Sequence, residues 1–351
     1  MHFDIKCKKE QKPELFVILG KLKMKALTFS SFGSSDVLEY LDVADPVLQK
    51  NDVLVEIRAL GLNYADLMRR KGEYPMRGVA PFINGFEGAG VVKNSNGHAG
   101  FKNGDRVAFA DIPFANAELV AVPFDNLVPL PGEISFETAA SVMLQGLTAQ
   151  FLTADSHKVK KGEIVLVHAA AGGVGQMLIQ VCKLSGAKVI GLTSSESKKL
   201  IALAVGADVA FLYDQDWKTK VLELFPDGVD VVYESIGTTM EWSLAVTKVL
   251  GQVVFFGMAG GKLELGNPLW IIANSKTITG ADLWNYLVSR EERLKRANVI
   301  FNWIISGKIK VLPPTVFKLS EGKKAHDFME GRQSTGKVLM VPDMEDRKTE
   351  D

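Results

Sequence analysis

Ile164-Val165-Leu166-Val167-His168-Ala169-Ala170-Ala171-Gly172-Gly173-Val174-Gly175 is an apolar run that ends in a glycine-rich turn. Beyond it Val174, Met177, Leu178, Val181 and Cys182 recur at helical spacing, so strand, tight turn and amphipathic helix follow without a break. In that setting each glycine has a chemical purpose. Gly172 would let the backbone approach a pyrophosphate, and Gly175 would let the helix pack close against the strand. Free N–H groups and a partial positive charge at the helix start would then face the phosphates. Against the pattern Gly-x-Gly-x-x-Gly, Ala170 replaces the first glycine. The pattern alone is a weak signal. Between this strand and this helix it predicts a dinucleotide site built on Ala170, Gly172, Gly173, Val174 and Gly175.

Outward from the turn, strand and helix patterns alternate. Apolar strands are predicted over 188–192, 209–213, 229–234 and 252–257. Helices are predicted between them over 197–205, 217–225 and 240–250, with another over 137–154 ahead of the turn. Such alternation indicates an α/β fold whose doubly wound parallel sheet is covered on both faces. Before about Leu130 the texture differs. Short strands (53–59, 88–93, 106–110, 119–122) are separated by turn signals such as Lys102-Asn103-Gly104-Asp105, which predicts a compact β domain. Helix and short strand return from about Trp284 and end in Gly336–Val341.

With 351 residues, 47% of them hydrophobic, the chain has enough apolar material for a sizeable core. Lys plus Arg (41) balance Asp plus Glu (41), which argues against nucleic acid or an anionic membrane surface as a partner. Two cysteines, Cys7 and Cys182, make neither a disulfide framework nor a cysteine-based zinc site, which fits a reducing, cytoplasmic setting. No apolar run approaches the roughly 20 residues of a membrane span. Residues 1–23 carry six lysines, and the longest apolar stretch there is Leu15–Leu19, so a weakly ordered extension is expected. Residues 346–351 read as a charged tail.

Which dinucleotide binds is decided at the end of the second strand. An NAD enzyme wants a carboxylate there, about 20 residues beyond the turn, to hold the ribose hydroxyls. This chain has Thr193-Ser194-Ser195, with Lys198 and Lys199 following. Small hydroxyl side chains and lysine suit a ribose 2′-phosphate, which a carboxylate would repel. Tyr213, at the end of the third strand, is placed to wall the same pocket. NADPH is the expected cofactor.

Several further motifs carry a family resemblance over about 24–342. They are Gly61-Leu62-Asn63-Tyr64-Ala65-Asp66, Gly72-Glu73-Tyr74-Pro75, Gly85-Phe86-Glu87-Gly88-Ala89-Gly90, Gly104-Asp105-Arg106-Val107 and Leu144-Gln145-Gly146-Leu147-Thr148-Ala149. With the glycine turn, they resemble the NADPH:quinone oxidoreductase branch (zeta-crystallin-like) of the zinc-independent medium-chain dehydrogenases/reductases. The resemblance implies a GroES-like β domain over 24–143, completed by 277–345, around a Rossmann domain over 144–276. It puts Asn63 near the nicotinamide, Lys198, Tyr213 and Arg332 around the 2′-phosphate, and Phe256-Gly257 along the nicotinamide side.

Zinc alcohol dehydrogenases share the implied fold and draw metal ligands from the N-terminal domain. Here Asn63 lies near the first ligand region, and Phe86-Glu87 stands where those enzymes have His-Glu. No metal site is expected, which shifts the chemistry to acceptors that take hydride unaided, such as quinones and conjugated enones. Tyr74 matches the position where related enoyl reductases place a proton-assisting tyrosine, so a 2-alkenal or enoyl-thioester reductase is the alternative. Packing alone would also account for Tyr74, and helix capping for Asn63 and Asp66. A non-catalytic NADPH-binding or vesicle-associated role is the alternative of another class. Asn84, in place of the usual proline, and the short 109–119 segment depart from the family pattern beside the substrate entrance. A homodimer is expected through Lys276-Thr277-Ile278-Thr279-Gly280-Ala281, a β-prone stretch with few charges.

Overall fold

The computed structural model describes residues 22–343 apart from 215, 264 and 266–268. The expected N-terminal extension, as far as residue 21, and the charged tail lie outside the described residues.

Six parallel strands form the sheet that the glycine turn belongs to. Their spatial order is Val209–Leu212, Lys188–Thr193, Ile164–Val167, Val229–Glu234, Thr247–Phe255 and Thr277–Gly280. The strand order reverses between Ile164–Val167 and Val229–Glu234, and a doubly wound sheet opens a ligand crevice at the carboxyl ends of strands there. The helices Gly173–Leu184, Glu196–Ala204, Trp217–Leu224 and Met240–Val246 connect the strands. Val165, Val167, Leu166 and Val232 are fully buried, as strands sandwiched between helical layers require.

Two sequence expectations are corrected here. The helix predicted over 240–250 ends at Val246, and Thr247 opens the next strand. Four residues of that strand, Thr247–Leu250, are rich in β-branched side chains but fit a helical repeat equally well. The boundary placed at 276 falls one strand short, because Thr277–Gly280 pairs with Gln252–Phe255 as the sixth strand of the nucleotide sheet.

The β domain draws on both ends of the chain. Asp52–Leu62 is its longest strand and pairs with Glu87–Asn94, Leu119–Pro123 and the distant Val338–Val341. Thr315–Lys318 extends this sheet beyond Val338–Val341, and Leu22–Phe29 forms a smaller sheet with Glu39–Ala44 and Phe82–Ile83. Helix Phe136–Phe151 packs against both halves: Ala140, Met143 and Leu147 share one buried cluster with Ala59 and Ala89 of the β domain and Val165 and Leu178 of the nucleotide domain. Among the described residues no helix is long and apolar enough to cross a membrane.

Candidate active site and dinucleotide cleft

At the end of Ile164–Val167 the chain turns through Ala169, which holds a left-handed φ of 46°, and Gly172 caps the helix Gly173–Leu184. A Cβ on Gly175 would lie 2.4 Å from the Ala169 carbonyl oxygen and 2.8 Å from Ala170 Cα, so only glycine allows this helix-to-strand contact. No side chain caps the helix start, which leaves its first amides directed at the crevice for an anion.

A buried network underlies the turn. Ala169 N–H donates to the Tyr213 hydroxyl (2.8 Å), which donates to His168 Nδ1 (3.0 Å). His168 Nε2 donates to Ser243 Oγ (2.9 Å), and the Ser243 hydroxyl donates to Glu234 Oε2 (2.5 Å). Burial pushes His168 down, so it is neutral, and the hydroxyl of Ser243 owes its proton to the carboxylate, which fixes the tautomer. Burial alone would raise Glu234, but hydrogen bonds from Ser243, the Ile236 amide and Thr239 hold it below the usual carboxylate range. The network explains how a non-glycine residue keeps the left-handed turn. It also shows what the Tyr213 side chain bonds within the protein. The Tyr213 backbone stays beside Thr193 (N to O, 2.9 Å), and its hydroxyl reaches back beneath the turn.

At the far end of the crevice, Lys198 and Arg332 come together: Lys198 Nζ donates to the Arg332 carbonyl oxygen at 2.8 Å. Burial and then the Arg332 charge lower the Lys198 pKa. No carboxylate pairs with either side chain among the described residues, whereas neighbouring Lys199 approaches Glu196 at 3.5 Å. Ser194 is exposed at this end, while Thr193 turns inward. Two uncompensated cations beside an exposed serine suit a dianionic group. Between the two ends, Gly336 bridges to Gly172, so the segment carrying Arg332 runs along the glycine turn.

Asn63 closes the inner end. Its backbone N–H donates to Asp66 Oδ2 (2.9 Å) in a capping box that starts helix Tyr64–Lys71, and Asp66 pairs with Arg69 at 3.0 Å. Burial pushes Asp66 up to about 6. The Asn63 amide is fully engaged by protein: Oδ1 accepts from Gln145 Nε2 (2.6 Å) and Lys337 Nζ (2.8 Å), and Nδ2 donates to Gly61 O (3.1 Å) and Glu87 Oε2 (3.0 Å). Lys337 also pairs with Glu87 at 2.6 Å, and Glu87 Oε1 accepts from the Leu144 amide (2.7 Å). Reading the sequence missed Lys337, Gln145 and Glu87 as a cluster. The available signal was a lone lysine opening the apolar strand Val338–Val341 and a lone glutamine on the apolar helix face of 136–151.

Phe256 and Gly257 follow the fifth strand: Phe256 N–H donates to Glu234 O (3.0 Å), and Gly257 lies against Ser235. From the opposite domain, the Tyr64 hydroxyl donates to Ala259 O (2.9 Å), linking the two sides of the crevice mouth. Tyr74 is 37% exposed, with the Arg69 guanidinium 4.9 Å from its ring centre. It lines a cavity of about 520 Å³ with Phe32, Met76 and Phe82, while Asn84 donates to the Asp66 carbonyl (2.8 Å). Trp284 packs on the central core.

Residues 49–161 match the family described as "Alcohol dehydrogenase GroES-like domain", and residues 173–297 match "Zinc-binding dehydrogenase". A quinone oxidoreductase of Pseudomonas aeruginosa is 38% identical over 326 residues, 91% of this chain and 99% of that relative. The chain belongs to the quinone oxidoreductase family of medium-chain dehydrogenases/reductases. A solved quinone oxidoreductase of Escherichia coli complexed with NADPH superposes with a TM-score of 0.86 at 33% identity, covering 91% of this chain and 100% of that one. A 2-haloacrylate reductase of a Burkholderia species is 34% identical over 81% of this chain and 89% of its own length. The zinc in one family description does not fit these residues. Glu87 is already neutralised by the Lys337 ammonium, Asn63 offers a neutral amide, and Cys182 sits in the helix core with its thiol pushed up by burial. A dinucleotide does fit, because the glycines leave room for it and the helix start is uncapped.

Proposed function

We propose that this chain is an NADPH-dependent reductase of quinones and conjugated enones that works without zinc. The observation that carries the reading is the uncapped glycine turn at the sheet's switch point, running toward the Lys198 and Arg332 pair. NADPH bound there supplies a hydride from nicotinamide C4 to the acceptor. The residues of the chain orient the cofactor and keep water from the transfer. The helix start holds the pyrophosphate, Lys198, Ser194 and Arg332 hold the 2′-phosphate, and Phe256-Gly257 lies along the nicotinamide side. The Lys337 ammonium stands between Asn63 and Glu87, and a second cation beside it would be repelled. Quinones and enones need no metal to polarise an alcohol, which agrees with this donor set.

Alkenal or enoyl-thioester reduction is the second reading. Tyr74 favours it, because a phenol bordering a cavity with no hydrogen-bond partner among the described residues is free to give a proton to an enolate. The 2-haloacrylate reductase likeness points to the same kind of bond. A panel of 1,4-benzoquinones, 2-alkenals and 2-enoyl-CoA with NADPH separates the readings. Quinone turnover well above the others supports the first, alkenal or enoyl-CoA turnover above quinone supports the second, and NADPH binding with no turnover of any acceptor defeats both.

A further inference from the structure

The amide chain at the inner end of the crevice has a polarity, and Lys337 sets it. An ammonium can only donate, so Asn63 must turn its oxygen toward Lys337 Nζ, at 2.8 Å. Gln145 meets the same oxygen at 2.6 Å and must turn its NH₂ group there. Glu87 reinforces the arrangement from the other side, since its carboxylate can only accept and faces Asn63 Nδ2 at 3.0 Å. The orientation of two successive amides is thereby dictated by charge. What remains is the Gln145 carbonyl oxygen. It is sealed from water, has no donor among the described residues, and belongs to a side chain only 6% exposed. A buried acceptor without a donor is costly. Gln145 lies along the first residue of the glycine-turn helix: a Cβ on Gly173 would fall 2.9 Å from Gln145 Cγ and 3.6 Å from Cδ. Gln145 thus lies beside the helix start against which the dinucleotide is proposed to bind.

From this geometry we infer that Gln145 Oε1 is the hydrogen-bond acceptor for a donor on the nicotinamide half of the bound dinucleotide, and that Lys337 positions it by fixing the Asn63 and Gln145 amides. The inference rests on the NADPH reading above. The donor is either a hydroxyl of the nicotinamide ribose or the NH₂ of the carboxamide. Lys337 acts through Asn63 and touches no reacting atom, so it is a positioning residue.

Equilibrium binding to the full chain tests this without turnover. Gln145→Leu should bind NADPH about tenfold more weakly while holding 2′,5′-ADP, which lacks the nicotinamide half, as well as the wild type. Lys337→Met, combined with Glu87→Gln so that no lone charge stays buried, should show the same split. The 3-acetylpyridine analogue of NADPH, which has no carboxamide NH₂, identifies the donor. An equal loss for both dinucleotides in Gln145→Leu assigns the ribose hydroxyl, and a loss confined to NADPH assigns the carboxamide. Unchanged NADPH affinity in Gln145→Leu, or equal weakening of NADPH and 2′,5′-ADP, overturns the inference. Wild-type NADPH affinity in the Lys337 variant overturns the part given to Lys337. If the wild type fails to bind 2′,5′-ADP, the 2′-phosphate reading falls, and the same comparison made with NADH against ADP still decides the role of Gln145.

Discussion

Lys198, from mid-sequence, meets Arg332, near its end, through a hydrogen bond that spans 134 residues. Burial and then the Arg332 charge lower Lys198, and a phosphate seated between the two cations, as proposed, would offset both. Lys198→Ala should weaken NADPH binding about ten- to hundredfold and leave NADH within about threefold, as measured by fluorescence titration. Equal losses for the two would remove Lys198 from the 2′-phosphate site. Tyr74 makes a sharper test of chemistry. Tyr74→Phe should slow enone turnover by about tenfold or more and quinone turnover by less than about threefold, because a reduced quinone takes its protons from water. Equal slowing of both would mean that the ring shapes the cavity. At this scale the sequence was legible where chemistry is local. Lys198 and the serines beside it could be read from one strand end. Lys337 could not, because its partners lie 250 and 274 residues away and a lysine opening a strand looks like a solvated side chain.

Among elements, the glycine-turn helix is the least tolerant of change. Gly175→Ala would drive a methyl into the Ala169 carbonyl and Ala170, neither of which can yield without moving the strand. It should cost about 1–3 kcal/mol in denaturant unfolding and abolish measurable NADPH binding. Retained binding with normal stability would show that the turn is not fixed by this contact. Strand–turn–helix order was legible because its signals are sequential. Where the prediction failed, the reason is also local. Val246-Thr247-Lys248-Val249-Leu250 satisfies both periods, and the pairing of Thr247 with Val229, continued by Gln252–Phe255 beside Thr277–Gly280, selects the strand. For Tyr213 the place at the end of the third strand was legible, and the long reach of its hydroxyl back to Ala169 was not visible from spacing.

For the whole molecule, the six-stranded sheet ends at Thr277–Gly280, whose outer edge is unpaired among the described residues. Leu250 (75% exposed) and Ile272 (74%) lie close by in sequence on the adjoining elements. An open strand edge flanked by exposed apolar side chains is a surface that proteins normally cover. The chain should therefore run as a homodimer in light scattering at micromolar concentration, and a monomer there would count against pairing through this edge. The purified protein should also carry less than stoichiometric zinc and keep its activity in chelator. About one zinc per chain, with activity lost on its removal, would defeat the metal-free reading.

The strand Val338–Val341 pairs with Asp52–Leu62 across nearly the full length of the chain. During synthesis the nucleotide sheet is complete once residue 280 has emerged, while one edge of Asp52–Leu62 still waits for its partner. Lys337 and Arg332 arrive with that same late segment. On the roles proposed for these residues, cofactor capture would become possible only when the β domain closes. A nascent or C-terminally clipped chain would carry an intact glycine turn and yet hold neither end of the dinucleotide firmly, and its exposed strand edge would be open to chaperones and to aggregation.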